Sequence, residues 1–386
     1  MSDDAARALA LRDFLVAMVA NWTGPGWDAA RGGFYDRLAP DLTATGTAHR
    51  RLHLAARQLY VLCRAPALVG APVPPGRAES GFRLLADRFA DPHHSGFFAT
   101  LDFQGNPLDR RKDLYGHAFV LFALATYHTT TGDPDALALA HATQAVLKQH
   151  LSVPGGWFAS VADEEWRKPN AALAQNPHMH LLEACLALEA AEDDPIWTNS
   201  ADRLVALFHA HLYDPAGRML GEFYDETGTP HPLTGHLVEP GHQFEWSWLL
   251  HTHAARRGIA PPPAASDLID RAALLGTDPG CGGIWDRIDR SGAVIGETKR
   301  IWPVCEAIKA YAARWRQRGH AVDGILMRRW IDFLLAHYLR PNGCWHEILN
   351  GDLTPHLSEM PGTTPYHLLM MAEEALPLLE GSAQQR

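Results

Sequence analysis

The sequence is poor in cysteine, in positive charge and in long apolar runs, and each shortage excludes a class of protein. Its five cysteines are scattered and none forms a C-x-x-C pair, which is typical of reduced thiols in a cytoplasmic protein. The formal net charge of −10 argues against nucleic acid or an anionic membrane surface as a partner. Because there is neither a membrane-length apolar run nor a basic segment before an apolar stretch, we expect no membrane helix and no secretory signal.

The motifs that usually bind metal ions or phosphate groups are also missing. The sequence has no H-E-x-x-H, no C-x-x-C and no carboxylate-rich loop of the kinds that bind zinc or calcium. It lacks a Gly-rich phosphate loop after a strand pattern, and Ser247 lies in a helical pattern without the sharp turn of a serine nucleophile. We therefore predict chemistry without a metal ion or another cofactor.

A proline that recurs at intervals of roughly sixty residues is the most informative feature that is present. Pro177, Pro240, Pro303 and Pro365 each precede a long apolar helical pattern. Proline suits the first turn of a helix because the amide hydrogen that it lacks would have no partner there. Imidazoles and carboxylates follow each proline within the first turns, so helix starts that lie side by side would bring these groups to one site.

Aromatic–glycine turns repeat at a similar interval, out of phase with the prolines. Six such turns occur, at residues 32–34, 95–97, 155–157, 217–223, 282–285 and 342–345. Six units of about two helices each predict an all-α fold, an (α/α)6 barrel or toroid of six helical hairpins. An open solenoid is the competing architecture, but the repeats diverge and none has the polar face of a capping repeat. We expect one catalytic domain over residues 1–386.

Two successive repeats present a histidine and a glutamate one helical turn apart. His180 and Glu183 are spaced i, i+3, and so are His242 and Glu245, which places each pair on one helix face. In a functional pair, the carboxylate orients the imidazole and raises its basicity. The alternative is a buried structural pair, in which the two side chains only satisfy each other's hydrogen bonds. His178 points to another side of its helix than His180 and is either structural or functional.

The starts of three predicted helices supply further polar and aromatic groups. Asn176 is expected to cap the helix that begins with Pro177. Trp302 and Glu306 flank the start of the fifth inner helix. His367 lies two residues after the last recurring proline, where an imidazole that titrates near neutral pH suits a general acid or base.

Arg57 and Trp246 complete the set of candidate site residues. Arg57, on the first inner helix, offers a fixed positive charge for a developing oxyanion. The alternative is an ion pair with Glu183 or Glu306 that keeps the interior of the ring neutral, and the two roles are compatible. Trp246, one turn after His242, is expected to form an aromatic wall of the site.

Together these motifs resemble the N-acylglucosamine 2-epimerase superfamily, which includes cellobiose 2-epimerases and aldose–ketose isomerases that act on mannose. The matching stretches follow the family's order over nearly the whole chain, at residues 56–60, 113–119, 176–188, 239–250, 302–307 and 365–367. The family's fold is an (α/α)6 barrel, in agreement with the repeat count. Residues 176–181 and 239–246 resemble the mannose isomerase branch most. Residues 359–364 lack the tryptophan of cellobiose epimerases, which favours a monosaccharide.

The resemblance implies a cofactor-independent isomerase that interconverts D-mannose and D-fructose, with D-lyxose and D-xylulose as a second pair, through a cis-enediol intermediate. It implies that His242 and His367 form the acid–base pair. A sugar 2-epimerase of the mannose/glucose, N-acylglucosamine or cellobiose type is the alternative that uses the same residues. The resemblance places around the sugar the residues Arg57, His180, Glu183, Glu245, Trp302 and Glu306, and we assign Asn176 and Trp246 to the same site.

Two hypotheses from other classes of protein stay open. A glycoside hydrolase or lyase would need two carboxylates that flank a glycosidic bond, and Glu183, Glu245 and Glu306 are available. A non-catalytic sugar-binding protein would bind sugar without proton exchange at C2. The expected partner is in each case a sugar, a monosaccharide for the isomerase, and the chain is expected to be a cytoplasmic monomer or homodimer.

Overall fold

The fold was analysed in a computed structural model, which describes residues 3–46, 48–168, 173–357 and 359–384. Helices dominate this part of the chain. Two π-helical turns, Leu84–Phe89 and Phe208–Leu212, extend the third and seventh helices, and a 3-10 turn, Pro154–Gly156, follows the fifth. The α-helices are α1 (Asp3–Thr23), α2 (Leu52–Val69), α3 (Arg77–Arg83), α4 (Leu114–Thr131), α5 (Pro134–His150), α6 (Gln175–Ala191), α7 (Pro195–Leu207), α8 (Pro240–Arg257), α9 (Pro263–Gly276), α10 (Trp302–Arg318), α11 (Ala321–His337) and α12 (Thr364–Gln384).

The even-numbered helices form a closed inner ring. Each packs on the next, from α2 through α4, α6, α8 and α10 to α12, and α12 packs back on α2. The odd-numbered helices form an outer layer, with α3, α5, α7, α9 and α11 against the inner helices that precede them and α1 against α12. The contact between the first and last inner helices excludes an open solenoid, and the predicted (α/α)6 barrel is confirmed.

The inner helices are buried on nearly every side because neighbouring inner helices and the outer layer cover them. In α4 every residue from Gly116 to Tyr127 is buried, and in α10 every residue from Trp302 to Arg314 is buried. A single apolar cluster includes side chains from α1 to α12. None of the helices in the described ranges is long and apolar enough to cross a membrane.

The recurring prolines mark the starts of inner helices, as predicted. Pro240 is the first residue of α8, and Pro303 and Pro365 are the second residues of α10 and α12. These positions leave no intrahelical hydrogen bond unmade, because the first amide groups of a helix have no partner within it.

Helix α6 begins two residues before its proline. Its first residue is Gln175, and Ala174, with extended backbone (φ −135°, ψ 145°), takes the cap position. The prediction that Asn176 caps this helix is therefore wrong. Asn176 lies within the first turn, because the strand that precedes the helix ends only at Ala174.

Short antiparallel strands lie mainly in the connections that lead into the inner helices. They form seven small sheets with the orders β17-β1-β2, β3-β4-β5, β6-β7, β8-β11, β9-β10, β12-β13 and β14-β15-β16. Pairing of Arg37 with Pro361 joins the first unit to the last. The strands are β1 (Arg37–Leu38), β2 (Ala44–Thr45), β3 (His49–Arg51), β4 (Thr100–Asp102), β5 (Pro107–Asp109), β6 (Lys112–Asp113), β7 (Val161–Ala162), β8 (Leu173–Ala174), β9 (Tyr213–Asp214), β10 (Met219–Leu220), β11 (Phe223–Tyr224), β12 (Leu237–Val238), β13 (Ile288–Asp289), β14 (Thr298–Arg300), β15 (Ile348–Asn350), β16 (Pro355–Leu357) and β17 (Met360–Pro361).

The aromatic–glycine turns follow the outer helices and are held in a common way. In three units a buried cation on the strand before the next inner helix binds the aspartate that opens the turn. The three ion pairs are Arg50–Asp28 at 2.7 Å, Lys112–Asp91 at 2.7 Å and Lys299–Asp278 at 2.6 Å. Gly283 needs to be glycine because its φ is +83° and a Cβ atom there would lie 2.8 Å from the Lys299 side chain. The repeat therefore fixes where each inner helix starts.

Candidate active site

The starts of the six inner helices surround one polar cavity of about 320 Å³. Each inner helix contributes at least one side chain to its wall, with Tyr115 representing α4. Seven of the ten predicted site residues line this cavity, namely Arg57, Asn176, His180, His242, Glu245, Trp302 and His367. The convergence that the repeat pattern predicted is therefore present in the structure.

Two of the remaining predicted residues lie behind the cavity wall and hold histidines that line it. Oε2 of Glu183 is 3.0 Å from Nδ1 of His180, and Glu183 also accepts a hydrogen bond from the Tyr366 hydroxyl. Oε1 of Glu306 is 2.8 Å from Nδ1 of His367. Glu183 and Glu306 therefore position imidazoles and do not line the cavity themselves.

Trp246 does not line the cavity either, so the prediction that it forms an aromatic wall of the site is wrong. Its ring is fully buried and packs on Phe208, with 4.9 Å between the ring centroids. Its Nε1 donates a hydrogen bond to Oε1 of Gln175 at 2.6 Å. Although it is one turn from His242, its side chain points toward the outer layer of helices.

The carboxylate that holds His242 is Glu222, which no sequence pattern had singled out. Nδ1 of His242 lies 2.8 Å from Oε2 of Glu222, in the connection between β10 and β11. Glu245 lies instead 3.9 Å from Nδ1 of His180, so the predicted pairing of His242 with Glu245 is wrong. The signal that could have indicated Glu222 is its place in the fourth aromatic–glycine turn.

His242 is held in its protonated form. Burial acts to lower its pKa, but the carboxylates of Glu222, Glu239 and Glu245 outweigh burial and raise the pKa to about 9. At neutral pH this residue is therefore an imidazolium, with Nδ1–H directed to Glu222. It is a proton donor toward the cavity.

His367 is in the opposite state. Burial lowers its pKa to about 4, although Glu306 acts in the other direction, and Arg57 and Lys309 lower it further. Because the pKa of Glu306 is lowered to about 2, this carboxylate is ionised and can only accept. The neutral imidazole therefore donates from Nδ1, which leaves the lone pair of Nε2 as a base.

A third buried histidine, His178, is structural. Its Nδ1 is 2.8 Å from the carbonyl oxygen of Ala174, and its Nε2 accepts a hydrogen bond from the Phe158 amide at 2.9 Å. His117 makes the same two kinds of contact in the second unit, with Asp113 and Phe97. Of the two alternatives for His178, the structural one agrees with these contacts.

Two of the three arginines that line the cavity are neutralised by carboxylates. Nε and Nη2 of Arg51 donate to the two carboxylate oxygens of Asp36, at 2.6 Å and 3.1 Å. Arg300 binds Asp286 at 3.0 Å and Glu239 at 2.9 Å. The charge of each of these two guanidinium groups is therefore matched by carboxylates.

Arg57 is different, because in the described ranges no carboxylate lies within 4.0 Å of it. It donates to the Tyr115 hydroxyl at 2.8 Å, and its guanidinium lies over the Phe119 ring at 4.1 Å. Its buried Nε has no acceptor. The alternative ion pair with Glu183 or Glu306 is not formed, so Arg57 presents positive charge to the cavity.

The cation that neutralises the interior of the ring is Lys309, another residue that the sequence pattern did not indicate. Its fully buried Nζ lies 2.7 Å from Oε2 of Glu306 and 3.7 Å from the centre of the Trp248 ring. Burial, Glu306 and Glu183 raise the pKa of Glu245 well above its ordinary value, against the effect of Lys309. Burial and the neighbouring carboxylates therefore favour the protonated form of Glu245, which lines the cavity.

The same side chains include two groups of potential metal ligands. His180, Glu183 and Glu245 form one group, and Glu245, Glu306 and His367 form the other. Lys309 already supplies positive charge to these carboxylates, which opposes the binding of a cation. Metal-free chemistry remains a prediction, and chelation tests it.

The fold is shared with solved structures of other proteins. A crystal structure of D-mannose isomerase superposes with a TM-score of 0.88, covering 98% of this chain and 99% of that chain at 22% identity. Such a likeness establishes the (α/α)6 fold.

The chain belongs to the N-acylglucosamine 2-epimerase (GlcNAc 2-epimerase) family, whose profile matches residues 33–371. A D-mannose isomerase from Thermobifida fusca is 31% identical over 317 residues, which are 77% of this chain and 76% of that protein. A mannose-6-phosphate isomerase from Rhizobium meliloti is 31% identical over 365 residues, which are 90% and 91% of the two chains. The chain is therefore a sugar isomerase or epimerase of this superfamily.

Proposed function

We propose that this enzyme is a cofactor-independent isomerase that interconverts D-mannose and D-fructose, with D-lyxose and D-xylulose as a second pair. The observation that carries the proposal is a pair of cavity histidines, of which His242 is bound to Glu222 and His367 to Glu306. Their surroundings shift the two pKa values in opposite directions. Both rings pack against Trp302, with ring centroids 5.0 Å and 5.7 Å from the indole. One is a proton donor and the other is a base, which is what an aldose–ketose exchange requires.

The first step is the opening of the sugar ring. The ring oxygen must gain a proton while the C1 hydroxyl loses one. The imidazolium of His242 gives its proton to the ring oxygen and, once neutral, accepts the proton of the C1 hydroxyl. In the open chain, the C1 carbonyl makes the C2 hydrogen acidic. The neutral His367 then removes this proton through Nε2, and Glu306 stabilises the imidazolium that results.

The intermediate is a cis-enediolate whose negative charge lies on O1. Arg57, the cavity arginine without a carboxylate partner, is suited to stabilise this charge. Protonation of O1, loss of the O2 proton and return of the His367 proton to C1 give the ketose. The imidazolium of His242 can give its proton to O1. As a neutral imidazole it can then accept the proton from O2.

The charge balance of the wall supports a sugar without a phosphate group. Arg51 and Arg300 are paired with carboxylates, which leaves Arg57 as the one arginine of the wall that is free for an anion within the described chain. A phosphate dianion would need at least one more unpaired cation for good charge matching. Because one relative is named mannose-6-phosphate isomerase, the preference for a sugar without a phosphate group needs a direct test.

A sugar 2-epimerase is the second candidate. Epimerisation returns the proton to C2 from the opposite face, so it needs two groups that bear protons, and His242 and His367 provide two imidazoles. A glycoside hydrolase has less support, because of the three carboxylates considered for it, Glu183, Glu245 and Glu306, only Glu245 lines the cavity.

The test is a proton NMR time course of the purified enzyme with D-mannose in heavy water, with EDTA present. Formation of fructose supports the proposal and shows that a chelatable metal is not required. Formation of glucose without fructose selects the epimerase. Absence of any product together with an unchanged C2 proton signal contradicts both. The same run with D-mannose 6-phosphate is expected to give at most a few per cent of the rate.

A further inference from the structure

One carboxyl group in the cavity wall takes no part in the steps above. Glu347 lies directly before β15, is 8% exposed and lines the cavity. Its main-chain oxygen accepts a hydrogen bond from the Ile301 amide at 3.1 Å, which fixes it beside Trp302. No sequence motif indicated this residue.

The side chain of Glu347 is held from one side only. Nε1 of Trp345 donates to Oε2 at 2.7 Å, and the Thr364 hydroxyl donates to the same oxygen at 2.8 Å. Thr364 is one helical turn before His367 in α12. The carboxyl group is therefore fixed between the starts of α10 and α12, next to the proposed base.

The second oxygen, Oε1, has no hydrogen-bond donor among the residues that the structure describes. Arg300 is the cation whose charge lowers the pKa of Glu347. Its guanidinium group binds Asp286 and Glu239 and does not donate to Oε1 of Glu347. A carboxylate oxygen accepts hydrogen bonds, and this one belongs to a side chain in the wall of a cavity. A hydroxyl group of a bound sugar is the kind of donor that it lacks.

We propose that Glu347 is a substrate-binding residue whose Oε1 accepts a hydrogen bond from a hydroxyl group of the open-chain sugar bound in the cavity beside Trp302 and His367. The inference rests on the proposed function and deepens it. With this role for Glu347, the sixth repeat contributes a carboxylate to the sugar site. The carboxylate favours neutral polyols over substrates that carry negative charge at the hydroxyl group it contacts.

The pH dependence of binding follows from the surroundings of Glu347. Burial raises its pKa to about 7, with Asp286 acting in the same direction, while Trp345, Thr364 and Arg300 oppose it. The other titratable groups that face it are Cys305 in α10, Tyr338 after α11 and His367 in α12. Because an ionised carboxylate is the stronger acceptor, KM should rise as pH falls from 8 to 6.

The variants Glu347→Gln and Glu347→Asp test the proposal. Glutamine keeps an oxygen for Trp345 and Thr364 but cannot ionise, so we expect KM for D-mannose to rise about tenfold, kcat to change less than threefold, and the pH dependence of KM to disappear. Aspartate keeps the charge on a shorter side chain, so KM should rise while its pH dependence stays. Glu359→Gln, an exposed carboxylate of the same segment (37% exposed side chain), is the matched control and should leave KM unchanged.

Calorimetric titration with D-mannose separates this inference from the proposed function. If the wild type binds mannose without turning it over and Glu347→Gln weakens binding about tenfold, the isomerase is wrong and the role of Glu347 stands. If turnover is normal, and both variants keep the wild-type KM with its pH dependence, the role of Glu347 is wrong. If the wild type neither binds nor converts mannose, both are wrong.

Discussion

Replacement of Glu222 by glutamine tests whether a residue outside α8 sets the charge of His242. Glutamine has nearly the shape of glutamate and retains an oxygen that accepts from Nδ1 of His242, now 2.8 Å from the carboxylate. The substitution therefore removes the negative charge with little change of shape, and its amide nitrogen replaces the oxygen that accepts from the Glu239 amide at 3.0 Å. Glu222 is 3% exposed, so solvent screens this interaction little.

The size of the effect follows from the strength of a charged hydrogen bond. Such a bond contributes about 1.5–3 kcal/mol, and one pKa unit corresponds to about 1.4 kcal/mol. We therefore expect the pKa of His242 to fall by about 1 to 2 units from its value of about 9. Glu239, 3.9 Å from Nδ1, still raises the pKa in the variant.

The assay is kcat/KM for D-mannose from pH 5 to pH 10. Activity of the wild type should fall as pH rises through about 9, because His242 loses the proton that it donates. In Glu222→Gln this decline should lie about 1 to 2 units lower, while the decline at lower pH, set by Glu347 with a pKa of about 7 and by His367 with a pKa of about 4, stays in place. Glu239→Gln should move the upper decline by a smaller amount. An upper decline that is the same in wild type and Glu222→Gln would refute this account.

The same pKa has a consequence for stability. The folded-state pKa of His242 is raised above its ordinary value of 6.5, so its contribution to stability is complete below about pH 6.5 and is lost as pH rises through about 9. In Glu222→Gln this contribution should be smaller and should disappear at a lower pH. Urea unfolding of both proteins at pH 6 and pH 9.5 measures the difference.

Three further substitutions and one treatment give additional predictions. Arg57→Met should lower kcat by about 100-fold to 1,000-fold, as the loss of one oxyanion-stabilising donor does, with an unchanged circular dichroism spectrum; a kcat near the wild-type value would contradict its role. Lys309→Met should lower the free energy of unfolding by about 3–5 kcal/mol, because it leaves Glu306 buried without its cation, and urea unfolding measures this. Trp246→Phe should cost about 1–3 kcal/mol by leaving Oε1 of Gln175 without its donor, with KM unchanged; a raised KM would place the indole at the sugar. Activity after dialysis against EDTA should equal that of the untreated enzyme, and a loss that Mg²⁺, Mn²⁺ or Zn²⁺ restores would show a metal requirement.

Much of the fold is predictable from the sequence because its signals are local and repeated. The prolines at 240, 303 and 365 stand in the first turns of inner helices, where proline's missing amide costs nothing. The aromatic–glycine turns recur because each outer helix must reverse into the strand before the next inner helix. Closure of the ring is also predictable, because no repeat has the polar face that an open end requires.

The partners of the site residues are less predictable because they depend on how each helix is rotated in the ring. Spacing along α8 places Glu245 near His242, yet His242 turns to Glu222, which comes from a different connection. The same rotation turns Trp246 toward the outer layer. Spacing along one helix succeeded for His180 and Glu183, because their contact lies within a single turn of α6.

The protonation states of the site residues also depend on contacts between helices, and the sequence did not indicate them. Lys309 shares a face with Glu306 at i, i+3, but its effect on Glu245 and Glu183 exists only because three inner helices meet. For the same reason the opposite protonation states of His242 and His367 come from their burial and their neighbours. Residue type alone assigns them the same pKa.

The most direct test of the central claim is loss of the C2 proton of D-mannose in heavy water, measured by proton NMR for the wild type, His367→Asn and His242→Asn. The account predicts exchange or fructose formation with the wild type and a loss of at least 1,000-fold with His367→Asn, because this variant has no base for C2. His242→Asn should recover part of its activity with an open-chain aldose such as glyceraldehyde, which needs no ring opening. Exchange at the wild-type rate in His367→Asn would contradict the account.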